Sequence, residues 1–93
     1  MDSYTKNHTS HPEILKRLKR ALGHLKSVIE MLEHDRECLE IAQQLHAVEK
    51  AITIAKKSLV HDHIDHCLDK AVSKGGSKAE DSVRQFKEIT KYL

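Results

Sequence analysis

The hydrophobic residues in the first third of the chain recur at intervals of three and four, the spacing that places side chains on one face of an α-helix. This first series consists of Leu15, Leu18, Leu22, Leu25, Ile29 and Leu32. It predicts an amphipathic helix from about Pro12 to Glu33. The residues before it, 1–10, are polar and show no such pattern, so we expect a flexible N-terminal arm there.

A second and longer series follows Asp35, which we expect to be the N-cap of the next helix. It consists of Cys38, Ile41, Leu45, Val48, Ile52, Ala55 and Leu59, and it continues through Ile64 and Leu68 to about Val72. Neither Pro nor Gly interrupts residues 36–74. The pattern predicts one helix about 55 Å long at 1.5 Å per residue. A single short neighbour cannot cover such a helix, so we expect a second copy of the chain to pack on it.

The third helix is predicted after Gly75–Gly76, which are a helix stop signal. Its apolar face carries Ala79, Val83, Phe86, Ile89 and Leu93. The fold class is therefore all-α, with three helices of medium, very long and short length. A chain of 93 residues suggests one domain, which we assign to residues 11–93 after the arm at residues 1–10.

Charge is clustered although the net charge is only +2. Residues 16–29 contain five basic residues and no acidic one, namely Lys16, Arg17, Lys19, Arg20 and Lys26. Such a block is either a solvated helix face or the contact surface for a nucleic acid.

Neither an apolar segment long enough to span a membrane nor a signal-peptide pattern is visible. We therefore expect a cytoplasmic protein without a membrane partner, in which both cysteines stay reduced.

The stretch HDHIDHC, residues 61–67, concentrates three histidines and a cysteine. His63 and Cys67 are four residues apart and share one helix face, and His66 is three residues from His63. A His-x3-Cys pair can supply two ligands to one metal ion. Polar histidines near a helix end, however, are more often solvated or hydrogen-bonded to free backbone carbonyls.

Cys38 is the third candidate ligand, although it also suits the apolar face as a small hydrophobic residue. It is separated from His63 by about 37 Å of helix, so one chain cannot bring the two together. In an antiparallel pair of long helices with the two-fold axis near Ala51 or Ile52, Cys38 of one chain lies opposite the His63–Cys67 turn of the other. Symmetry then creates two identical sites.

The segments LKRLKRALGHLKSVIEMLE, CLEIAQQLHAVEKAI and HDHIDHC together resemble the CsoR/RcnR family of small bacterial metal-sensing transcriptional repressors, which includes the formaldehyde sensor FrmR. The resemblance extends from about His11 to Val72. It implies an antiparallel, four-helix-bundle-like homodimer formed through the long helix, and a dimer of dimers, that is, a homotetramer. It also implies binding to operator double-stranded DNA without inducer and release when the inducer binds between subunits.

By position, the resemblance assigns the inducer site to Cys38, His63 and Cys67. The basic residues of the family's first helix correspond to Arg17 and Arg20. A basic residue usual in the middle of the second helix falls near Glu49–Lys50, where Glu49 departs from the pattern and Lys50 is the candidate. The expected DNA surface is therefore Lys16, Arg17, Lys19, Arg20 and Lys50.

The donor set favours Cu(I), because two thiolates and one imidazole suit a soft ion that accepts three ligands. Recruitment of His8, His11 or His66 would raise the ligand number and favour Ni(II), Co(II) or Zn(II). The arm histidines do not match the family's usual arm position near Lys6. We rank copper first, nickel or cobalt second and persulfide sensing through Cys38 and Cys67 third. Formaldehyde comes last, because Asp2 replaces the proline expected of that sensor.

Two other functions compete with a repressor. The same ligands would serve a metal buffer or chaperone that does not bind DNA, and a helical dimerisation domain would need none of them. An enzyme is not expected, because the sequence contains neither a Ser-His-Asp-like set nor a phosphate-binding loop.

Overall fold

The computed structural model describes residues 10–74 and 76–93, and the regular structure within these ranges is entirely helical. Helix α1 spans His11–Glu33, α2 spans Cys38–Lys74 and α3 spans Gly76–Ile89, followed by a short 3-10 helix at Thr90–Tyr92. The predicted all-α fold with one long, uninterrupted second helix is confirmed, since α2 contains 37 residues. Residues 1–9 of the predicted arm, including His8, lie outside the described residues.

The chain divides into two compact units. The N-terminal unit is Pro12–Lys56, and the C-terminal unit contains His11 together with Lys57–Leu93. Helix α2 contributes its first half to one unit and its second half to the other. The assignment of residues 11–93 to a single domain stays a prediction.

The core of the N-terminal unit joins α1 to the first half of α2. Val28, Ile41 and Val48 form a buried cluster, and Leu25 and Met31 pack against it. The buried residues recur every seven positions, as Ile14, Ala21 and Val28 on α1 and as Ile41, Val48 and Ala55 on α2. Because seven residues make about two helical turns, each set forms one stripe along its helix.

The stripe that the chain buries differs in part from the faces predicted from the sequence. Leu22 on α1 is 54% exposed and Ile52 on α2 is 46% exposed, although both belong to the predicted apolar series. The exposed members of the α2 series include Leu45, Ile52 and Leu59, again seven residues apart. Helix α2 thus has two adjacent apolar stripes, and within residues 10–74 and 76–93 only one of them is buried.

A tight turn connects α1 to α2. The Asp35 N–H donates to the Leu32 carbonyl at 3.3 Å, and the Arg36 N–H donates to the Met31 carbonyl at 3.0 Å. This pair of hydrogen bonds, with Asp35 at a positive φ of 54°, is the Schellman motif that ends a helix. The expectation that Asp35 caps the start of α2 is therefore wrong, because Asp35 closes α1 instead. The first hydrogen bond of α2 runs from the Ile41 N–H to the Glu37 carbonyl.

The C-terminal unit is built on the second half of α2 and on α3. Its buried residues include Val60 and Cys67 from α2 and Ser82 from α3. Val83, predicted on the apolar face of α3, is exposed. Within residues 10–74 and 76–93, none of the helices has both the length and the apolar character that crossing a membrane requires.

We predict that Asp35→Val destabilises the protein, whereas Asp35→Gly does not. A β-branched residue is strained at positive φ, at a cost of about 1–2 kcal/mol, while glycine adopts this conformation freely. The free energy of unfolding from urea denaturation measures both effects. Equal losses for the two variants would contradict the left-handed turn at Asp35.

Candidate metal centre and nucleic-acid interface

His63 and Cys67 lie one turn apart on α2, which puts their Cβ atoms about 6 Å from each other. His63 is half-buried, and Cys67 is only 1% exposed. Burial raises the pKa of the Cys67 thiol; nearby Lys70 opposes this pKa shift and Asp81 adds to it. A metal binds the thiolate, so coordination at Cys67 must release a proton.

Cys38 is the first residue of α2 and is exposed. It belongs to the N-terminal unit, whereas His63 and Cys67 belong to the C-terminal unit. Among the described residues of one chain, no three His, Cys, Asp or Glu side chains form a group that could hold a metal ion. The predicted ligand set draws on two chains and stays a prediction. Its donors, two thiols and an imidazole, suit a soft transition-metal ion.

His63 also borders a cavity of about 300 Å³ in the C-terminal unit. The other lining residues come from α3 and the 3-10 helix, and they are Arg84, Gln85, Glu88, Ile89 and Tyr92. Carboxylates and other oxygen acceptors commonly orient metal-binding imidazoles in proteins. No sequence pattern predicts this arrangement, since no periodicity relates α3 to residue 63.

The three additional histidines proposed as ligands differ in their positions. His66 lies beside Asp62, with 3.7 Å between Nε2 and Oδ1. His11 belongs to the same compact unit as His63 and Cys67. His8 lies outside the described residues.

The five residues of the predicted DNA surface are all exposed, namely Lys16, Arg17, Lys19, Arg20 and Lys50. None of the five pairs with a carboxylate within the part of the chain that the structure describes. Their charges are therefore available to an anionic partner, as binding to phosphates requires.

A small cleft lies beside this surface in the N-terminal unit. It has a volume of about 110 Å³ and is lined by Arg17, Arg20, Ala21, His24 and Ala51. The His24 Nε2–H donates a hydrogen bond to Gln44 Oε1 at 2.6 Å, which ties α1 to α2. His24 was not among the residues predicted to contact DNA, although its spacing of four from Arg20 and seven from Arg17 places it on their helix face.

Comparison with known proteins gives consistent matches. The model of the family described as metal-sensitive transcriptional repressor matches residues 10–93. The copper-sensing transcriptional repressor CsoR of Bacillus subtilis (strain 168) is 37% identical over 92 residues, which cover 94% of this chain and 91% of that protein.

A second CsoR, from Mycobacterium ulcerans (strain Agy99), is 40% identical over 65 residues, or 70% of this chain. The match spans only 56% of that mycobacterial protein's length. Among solved structures, the nickel-responsive transcriptional regulator InrS aligns with a TM-score of 0.80 and 27% identity. That alignment covers 94% of this chain and 97% of InrS.

We predict that buried Cys67 makes the stability of the metal-free protein depend on pH above the ordinary thiol pKa of 9.0. The folded state holds the thiol proton more tightly, because burial raises the Cys67 pKa. Its contribution is fully present below pH 9.0 and is lost as the pH rises through the folded-state pKa.

The unfolding free energies of wild type and Cys67→Ala should therefore converge as the pH rises above 9.0. Cys38→Ala, which changes an exposed thiol, is the matched control and should follow the wild-type profile. Parallel profiles for wild type and Cys67→Ala would refute the effect of burial.

Proposed function

This chain belongs to the family of metal-sensitive transcriptional repressors, and we propose that it is a copper-responsive repressor of operator DNA. The family match confirms the resemblance noted from the sequence, and this family consists of transcriptional repressors rather than enzymes. In our proposal the metal-free homotetramer binds operator DNA in the cytoplasm, and Cu(I) binding between subunits releases it.

The observation that carries this proposal is the arrangement of α2. Cys38 occupies the same heptad position as the exposed Leu45, Ile52 and Leu59. Two α2 helices packed antiparallel through this stripe, with the two-fold axis at Ile52, would place residue 38 opposite residue 66. The burial of the apolar stripe would thus bring Cys38 to the His63–Cys67 turn of the other chain.

Copper is the first choice because of the donor chemistry. Cys38, His63 and Cys67 would supply two thiolates and one imidazole, a set that Cu(I) accepts in three-coordinate form. The similarity to copper-sensing repressors from two bacterial genera supports this choice. When bound, the metal would link the two chains through their own side chains. Exposed Cys38 is accessible to the ion, whereas Cys67 contributes from a protected position.

A nickel- or cobalt-responsive repressor is the second candidate. The likeness to nickel-responsive InrS supports it, as does the position of His11 in the same unit as His63 and Cys67. A further imidazole from His8, His11 or His66 would give the four-coordinate site that Ni(II) accepts.

The DNA-binding surface would be Lys16, Arg17, Lys19, Arg20 and Lys50. Phosphate neutralisation by these exposed cations would supply most of the affinity and make it strongly dependent on salt. Metal and DNA would favour different states of the tetramer, so each must weaken the binding of the other by the same factor.

We predict that Cu(I) weakens operator binding of the wild type at least about fivefold, the lower end of typical coupling energies. The operator is first selected from a randomised DNA pool with the metal-free protein, and binding is then measured anaerobically by gel shift. Cys38→Ala should bind the operator normally but fail to respond to Cu(I). His46→Ala, which removes an exposed histidine elsewhere on α2, should respond like the wild type.

The same titration separates the alternatives. Nickel sensing predicts release by Ni(II) that is lost when the histidine that supplies the fourth ligand, among His8, His11 and His66, is replaced by Ala. Copper sensing predicts that none of these three substitutions changes Cu(I) release. A metal buffer would bind Cu(I) without selecting any DNA. A wild-type protein that holds its operator equally well with either metal would contradict the repressor switch.

We further predict that Ile52→Lys weakens self-association by at least about tenfold, because an unpaired ammonium would be buried at the dimer centre. Gln43→Lys adds the same charge on the α2 face shared with Lys50 and Lys57, and it should leave the assembly intact. Sedimentation equilibrium measures the dissociation constants. An unchanged assembly in Ile52→Lys would exclude dimerisation through the exposed stripe.

A further inference from the structure

The small cleft on α1 combines two permanent cations with one titratable group. Arg17, Arg20 and His24 follow one another at spacings of three and four, so they share one face of the helix. All three line the cleft, and the remaining lining residues, Ala21 and Ala51, are small and uncharged. The cleft therefore presents nitrogen donors on one side and no competing carboxylate among its lining residues.

The hydrogen bond to Gln44 fixes the His24 ring. An amide oxygen can only accept, so the proton of this bond belongs to His24 Nε2. In the neutral ring, Nδ1 then carries a lone pair and cannot donate to an anion. Taking up a second proton at Nδ1 makes the ring a cation and gives it a donor in addition to the bond to Gln44.

The cleft lining and the hydrogen bond to Gln44 show which described side chains of the N-terminal unit lie beside His24. On α1 they are the guanidinium groups of Arg17 and Arg20, which line the same cleft. On α2, Gln44 is hydrogen-bonded to His24 and Ala51 lines the cleft, and both residues are neutral. Glu40, one turn before Gln44, forms an ion pair with Arg36. An anion held by the two arginines would thus become the main negative charge acting on the imidazole.

We propose that Arg17, Arg20 and His24 form a phosphate-binding cleft in which His24 takes up a proton as the phosphate binds. The inference deepens the proposed function, since the phosphate is that of the DNA backbone. An opposite charge at contact distance favours the charged form of a histidine. By linkage, protein that is already protonated at His24 binds DNA more tightly. DNA affinity therefore decreases as the pH rises and His24 loses its proton.

The first test compares the salt dependence of DNA binding in wild type and His24→Gln. Glutamine keeps a hydrogen-bonding side chain beside Gln44 but cannot become charged. The probe is a fluorescein-labelled duplex of random sequence, because phosphate contacts do not depend on sequence. Near pH 6, the slope of log affinity against log salt should be steeper in the wild type by about 0.9 for each cleft that contacts DNA. Near pH 8 the two slopes should agree.

His46→Gln is the matched control, since His46 is exposed on α2 and lies near Glu49 rather than in the cleft. It should retain the wild-type slope at both pH values. Equal slopes for wild type and His24→Gln near pH 6 would overturn the proposal.

The second test does not require DNA and so separates this inference from the repressor proposal. Inorganic phosphate is added to the full-length protein near pH 6, and the His24 ring signals are followed by NMR, with sodium chloride at equal ionic strength as the control. Phosphate, but not chloride, should shift these signals, and Arg17→Gln combined with Arg20→Gln should abolish the shift. Unmoved His24 signals would reject the cleft, whereas a shift without any duplex binding would reject only its role in DNA recognition.

Discussion

The exposed apolar stripe of α2 is the constraint on which the other features depend. One stripe, Ile41, Val48 and Ala55, is buried within the chain, whereas the neighbouring Leu45, Ile52 and Leu59 are not. Large apolar side chains left in a row on a helix face are stabilised when another surface removes them from water. An antiparallel second copy would meet this requirement and would make one interface both the core of the assembly and the position of the inducer site.

The two cysteines suit different parts of a switch. Cys38 at the start of α2 is open to solvent, whereas Cys67 is buried and its thiol resists ionisation. A soft metal ion binds a thiolate strongly and so offsets the free-energy cost of a buried Cys67 thiolate. A hard cation does this less well. In our proposal, metal binding therefore removes thiol protons and cross-links the two α2 helices through Cys38, His63 and Cys67. The exposed basic residues of α1 contact DNA.

Much of the fold follows from the spacing of apolar residues, but the choice between adjacent stripes does not. The three helices were predicted from periodicity and from Gly75–Gly76. The predicted bounds differ from those in the structure by only a few residues. Periodicity could not show that Ile14, Ala21 and Val28 would be buried instead of Leu15 and Leu22. The two stripes lie side by side on one helix, and only packing against α2 distinguishes them.

The turn and the cleft show two further limits of sequence analysis. Aspartate favours helix N-caps and also tolerates positive φ, so the sequence is compatible with either role for Asp35. In the structure Asp35 has a positive φ and ends α1. The His24–Gln44 hydrogen bond joins residues twenty positions apart, and no local pattern predicts such a pair. The ligand set of Cys38, His63 and Cys67 follows from the resemblance and the helix geometry together, and it stays a prediction because it joins two chains.

Mixing two inactive variants tests the shared site most directly. Cys38→Ala and the double variant His63→Ala/Cys67→Ala, carrying different tags, are unfolded together at equal concentration and refolded anaerobically, and mass spectrometry verifies the mixed dimers. Neither variant alone should bind Cu(I) tightly. Each mixed dimer regains one complete site, so about one quarter of the wild-type Cu(I) capacity should return under random pairing. Mixed dimers that form but bind no more Cu(I) than their parents would contradict a site built from two subunits.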